Sequence, residues 1–191
     1  MQDDLLTVAP NDTEILSNQG SVWNNLGMLY DRQRQLVDAE KAYQQAVSNQ
    51  RRALDGSKAN ERYRALLSQH YLNFAKNLNG QLKYDAAVEI VNKRKQLWAG
   101  QPERLYSVAQ QLAIMYGQMR AVNAPQQSQN GCLQSAIATL REAVSAGLPG
   151  ARLKDPSLAN LAGSNEFRKL ANDATAAATR PAAAHQTSLS H

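Results

Sequence analysis

Residues 23–46 read WNNLGMLYDRQRQLVDAEKAYQQA, and the alternation of large and small side chains in this stretch decides the fold. Trp23, Leu26 and Tyr30 recur at helical spacing, and Gly27 on the same stripe leaves room for a neighbouring helix. Ala39, Tyr43 and Ala46 form a second stripe at i, i+4 and i+7. Large residues set against small ones across two such stripes predict two antiparallel helices in close contact.

Toward the N-terminus, Asn11, Asp12 and Thr13 are N-cap candidates, and Glu14 stands in the first turn, where the helix dipole favours an acid. A first helix is therefore expected over about residues 12–33, with Ile15, Leu16 and Val22 ahead of Trp23. A turn at Arg34 and Gln35 precedes a second helix over about residues 36–54, which stops at Asp55-Gly56-Ser57. Residues 1–10 read as an N-terminal tail or as the end of a preceding repeat helix closing at Pro10, the latter making the chain the end of a longer array or a truncated product.

The same register returns further on. Tyr71, Phe74, Ala75 and Leu78 take the places of Trp23, Leu26, Gly27 and Tyr30, and Asn79-Gly80 makes the turn. Trp23 and Ala39 stand sixteen apart, as do Tyr71 and Ala87. The two units are offset by 48 residues, so helices lengthened around residues 51–64 are expected. Arg94 falls where a small residue is expected. After Gly100-Gln101-Pro102, a third unit carries Leu105, Val108, Ala109 and Leu112, then Leu133, Ala136, Leu140 and Ala143. The Gln-, Asn- and Ser-rich stretch from Gly117 to Gly131 reads as a loop of about 15 residues inserted between its helices. The array thus spans residues 11–150, as units 11–56, 57–100 and 101–150. Residues 151–173 read as a capping segment and residues 174–191 as a disordered tail.

The stretch at 23–46 resembles a tetratricopeptide repeat, whose signature is W-x2-L-G-x2-Y, then A-x3-F, then a closing proline. Every element is met except that proline, where Arg51 stands. The paired asparagines at Trp23-Asn24-Asn25-Leu26-Gly27, the run from Leu105 to Ala109, AIATLREAVSAG and DPSL…EFRKL carry a finer likeness. Together they resemble the C-terminal repeat region of planctomycete-type bacterial serine/threonine protein kinases. The resemblance implies an all-α solenoid of about three stacked helical hairpins, with a concave groove that binds an extended peptide or a partner helix. By aligned position, the groove residues it implies are Asn24, Met28, Asp31 and Arg32 from the first unit, and Gln69, Leu72, Lys76 and Asn79 from the second.

The composition narrows the chemistry. The formal net charge of +5 comes from scattered residues, and the densest basic spots, Arg51-Arg52 and Lys93-Arg94-Lys95, read as solvated helix faces. Cys132 is the single cysteine, so no disulfide framework and no cysteine zinc site is expected. His70 has no second ligand at i+3 or i+4, and no cofactor or metal is expected. Asp38, Glu40, Asp85 and Glu89 read as helix-surface acids paired with Lys or Arg rather than as catalytic carboxylates. No glycine-rich phosphate loop, H-R-D or D-F-G occurs, so this chain is not expected to be an enzyme. No apolar run approaches the roughly 20 residues of a membrane span, and a cytoplasmic location is expected. The function expected is protein–protein interaction. The alternatives are a regulatory C-terminal fragment of a kinase-type polypeptide, and weak nucleic-acid binding through a basic surface.

Overall fold

The structure, a computed structural model, describes residues 12–179. Among the described residues it is all-helical, without strands. Three helix pairs follow one another: α1 (Thr13–Arg32) with α2 (Leu36–Gly56), α3 (Glu61–Gly80) with α4 (Tyr84–Gln96), and α5 (Pro102–Ala121) with α6 (Gln126–Ser145). Two 3-10 turns, Gly150–Lys154 and Pro156–Leu161, lead into α7 (Asn165–Thr179). Each helix packs on the next within its pair, α2 packs on α3, and α4 packs on both α5 and α6. The expectation for residues 1–10, and the part of the tail expectation beyond residue 179, fall outside the described residues.

Local chemistry sets the helix starts. The Asp12 carboxylate accepts from the backbone N–H of Glu14 at 2.8 Å and of Ile15 at 3.1 Å, satisfying two donors that the first turn leaves without helical partners. Asn60 does the same for Tyr63 at 3.1 Å. Pro102 opens α5, where its missing N–H costs nothing. The residues added between the first two units lie inside α2 and α3, leaving only residues 57–60 between them.

The three pairs turn by one device. Arg34, Leu82 and Asn123 adopt left-handed backbone with φ of 61°, 62° and 52°. The following N–H reaches back five residues each time: Gln35 to the Tyr30 carbonyl, Lys83 to Leu78, and Ala124 to Met119. The left-handed residue itself donates three back, to Asp31, Asn79 and Arg120. This is the Schellman closure, and it reverses the chain within three or four residues.

The core runs without interruption from Ala39 to Ala174, and Trp98, Tyr43, Tyr71 and Tyr106 are its largest enclosed side chains. Trp23 was the expected leader of its stripe, yet it is 37% exposed. The space between α1 and α2 is taken by the Tyr43 ring, 1% exposed, which lies against Gly27. A Cβ at Gly27 would stand 2.7 to 3.0 Å from three atoms of that ring. Gly27→Val should therefore lower the unfolding free energy by about 2–3 kcal/mol through overpacking, as read by urea denaturation. A loss below about 0.5 kcal/mol would show that α1 and α2 do not meet this closely.

Two expectations are corrected. The stretch from Gly117 to Gly131 is not a loop: α5 continues to Ala121, α6 starts at Gln126, and only residues 122–125 connect them. Met115 and Met119 carry the inner stripe of α5 onward, and Ser128 and Cys132 begin that of α6, so the polar residues cover the outer faces of two long helices. The tail expectation at 174–191 is also corrected at its start, because α7 continues to Thr179 and buries Ala174 at 9% exposure. The expected cap at 151–173 buries Leu153, Leu158, Leu161 and Phe167, with the second 3-10 turn against α5 and α7 against α6.

Candidate functional site

A cleft of about 670 Å³ lies between α3 and α5, with Arg94 of α4 in its lining. Of the eight groove residues read from the sequence, Leu72, Lys76 and Asn79 line this cleft. Lys76 is exposed and Leu72 half-buried. Asn79 donates to the Gln118 side chain at 2.8 Å, which ties α3 to α5 across the opening. From α5 the cleft takes Gln110, Gln111 and the half-exposed Ile114.

The other five candidates lie away from this cleft. Asn24 is 6% exposed and accepts from the Asn73 amide at 3.0 Å. It also donates toward the Met28 sulfur at 3.6 Å, while Gln69 donates to Asn73 at 3.1 Å. These side chains form a polar seam joining α1 to α3. Asp31 accepts from the Tyr43 hydroxyl at 2.8 Å and from the Asn77 amide at 2.7 Å. Burial first, and then the Asp31 carboxylate, push the Tyr43 hydroxyl above its ordinary pKa and keep it a donor. Met28 and Arg32 are exposed. Asn24 and Asp31 thus spend their hydrogen-bonding capacity inside the protein.

Arg94 is the residue that sequence reading placed wrongly. It reads as part of a solvated basic face, yet it is 9% exposed. Its Nε donates to the Ser68 hydroxyl at 3.0 Å, its Nη1 to the Gln111 carbonyl oxygen at 2.7 Å, and its Nη2 to the Ser107 hydroxyl at 3.4 Å. Arg94 continues the inward Ala87–Val91 stripe of α4, so helical register, rather than its charged neighbours, dictates its direction. Its flanks do point outward: Lys93 pairs with Glu89 at 2.6 Å and Lys95 with Glu142 at 2.7 Å. Burial, then the nearby Arg104 charge, lower the Arg94 guanidinium to about 10, which leaves it charged at neutral pH. No Asp or Glu among the described residues pairs with it.

Other reactive groups are buried or paired. The Cys132 thiol is fully buried and donates to the Leu112 carbonyl at 3.4 Å, and burial pushes its pKa up to about 12. Few thiolates form at neutral pH under that shift. The ring nitrogens of His70 are buried without a partner, and burial lowers its pKa to about 4. Asp38 and Glu40 pair with Lys41 and Lys83. Among the described residues no group of three His, Cys, Asp or Glu converges to hold a metal ion, and no helix is long and apolar enough to cross a membrane. No protein-family model matches the chain, and no curated protein matches it.

Proposed function

We propose that the chain is a protein–protein interaction module of tetratricopeptide-like build, which seats a peptide or partner helix between α3 and α5 and carries out no catalysis of its own. The observation that carries this reading is the cleft. Its walls alternate aliphatic side chains (Leu72, Ile114 and Met115) with amides (Asn79, Gln110 and Gln118) along two neighbouring helices. Such walls suit a polypeptide: aliphatic surface covers side chains, and an amide both donates to and accepts from a peptide backbone. The three like turns and the stacked helix pairs support the solenoid reading. The densest basic run weighs against nucleic acid, because Lys93 and Lys95 are paired within the chain and Arg94 points inward.

A display library of random twelve-residue peptides, selected on the intact chain, tests this reading. Enriched peptides should bind Ile114→Asp at least about tenfold more weakly, a loss of about 1.4 kcal/mol. They should bind Val37→Asp, an exposed position outside the cleft, unchanged. Equal binding to all three proteins, or enrichment of no peptide, would sink the cleft as a docking site.

A further inference from the structure

A buried guanidinium held only by neutral groups is an unbalanced arrangement. Taking a cation out of water is costly, and proteins ordinarily compensate it with a carboxylate. Arg94 has none. Its three partners are Ser68, Ser107 and the Gln111 amide, and the like charge of Arg104 acts on it. A guanidinium carries five N–H donors in a fixed fork. The three bonds leave one N–H on each terminal nitrogen without an acceptor among the described residues. Gln111 repeats the pattern independently. It is 7% exposed and lines the same cleft, its carbonyl oxygen is taken by Arg94, and its amide nitrogen has no partner. Two buried donor groups therefore stand together with capacity to spare, and Lys76 adds a second cation at the opening. Among the described residues no acidic side chain lines the cleft.

We infer that the cleft is a receptor for a glutamate side chain on an aliphatic-containing segment of a partner protein, with its carboxylate on the free N–H groups of Arg94 and the Gln111 amide. The inference rests on reading the α3–α5 cleft as a peptide site and adds the chemistry of its ligand. A planar carboxylate matches the planar guanidinium fork bidentately. Depth selects the source of the acid. Arg94 is nine-tenths buried, so the acid must arrive on a stem, and the two methylenes of glutamate would run past Leu72, Ile114 and Met115. A chain terminus would have to bring its own backbone amide, and not only a slender stem, down past Leu72, Ile114 and Met115. The buried cation that would be a liability in a closed core becomes a specificity device in a cleft that a partner fills.

The peptides selected above supply the probe. They should be taken from two libraries, one with both peptide ends fused and one with a free C-terminus. The fused library should yield peptides carrying Glu next to Leu, Ile or Val. One such peptide, synthesised with acetyl and amide ends, should lose about tenfold or more in affinity when its Glu is changed to Gln, with the protein left intact. On Arg94→Gln, with its fold checked by circular dichroism, the Glu peptide should lose most of its advantage over the Gln peptide. Lys76→Glu, an exposed change, should weaken the Glu peptide and leave the Gln peptide unchanged. Cleft-dependent peptides without an acid would overturn the glutamate receptor and leave the interaction module standing. So would enrichment from the free-terminus library alone. Peptides indifferent to Ile114→Asp, or nucleic acid as the sole ligand, would overturn both.

Discussion

Trp98→Ala is expected to lower the unfolding free energy by about 3–5 kcal/mol, the cost of deleting a large buried aromatic. Trp98 is 2% exposed, just past the end of α4, and its indole N–H donates to the Ser68 hydroxyl at 3.0 Å. The Arg104 guanidinium lies 4.9 Å from the ring centroid and covers its outer face. Alanine would leave a cavity where the second helix pair meets the third, and would remove the platform on which Arg104 rests. Ser68 also accepts from Arg94, so the same hydroxyl anchors the core aromatic and the cation of the cleft. Equilibrium urea unfolding of Trp98→Ala and Arg104→Ala separates the contributions. Arg104→Ala should cost only about 0.5–1 kcal/mol, the worth of a cation–π contact at an exposed site. A Trp98→Ala loss no greater than that of Arg104→Ala would show that the indole is not enclosed.

Acid should loosen the chain through His70. Its side chain is 2% exposed, both ring nitrogens lack partners, and burial lowers its pKa from 6.5 to about 4. The folded form therefore binds fewer protons than the unfolded chain between those two values. The stability that depends on a neutral His70 is complete above about pH 6.5 and falls as pH drops, by about 1.4 kcal/mol per pH unit. Below about pH 4 the folded state protonates too, and the loss levels off near 3 kcal/mol in total. His70→Leu removes two unsatisfied polar atoms at similar volume, so it should raise stability at pH 7 by about 1–2 kcal/mol. It should also flatten the pH 4–6.5 profile. Urea midpoints measured from pH 4 to 8 on both proteins decide this, and an unchanged slope in His70→Leu would exclude His70 as the acid-sensitive group.

The sequence made the helix pairs legible because their signal is periodic and local. The stripes at Trp23 and Tyr71, the break at residues 100–102 and the Asp12 cap all act within a few residues of themselves. The 117–131 stretch misled because composition is a poor guide on long helices. Gln126 and Asn130 are exposed, while Ser128 and Cys132 between and beyond them are buried, and only register tells the two sets apart. Of the eight groove residues read from the sequence, three line the cleft, for a related reason. Alignment gives a residue's position on a helix but not its partners, so Asn73, Asn77 and Tyr43 could not be foreseen as consuming Asn24 and Asp31. The α5 wall went unread because the transferred positions stopped at the second unit; of that wall, Gln118 alone lies in the stretch that reads as a loop. Arg94 did leave a trace, as a charged residue where the pattern asks for a small one.

The three left-handed turns bear on how the chain reaches this shape. Every bond that closes them spans five residues or fewer, so the reversal at Arg34, Leu82 or Asn123 is complete before any distant segment arrives. Closing so short a loop costs little entropy and takes well under a microsecond. Each pair can zip up as soon as its second helix has been synthesised, and the later step is the docking of preformed pairs. A chain built this way has low contact order and several equivalent starting points, which places its refolding among the fast helical proteins, in the microsecond to millisecond range.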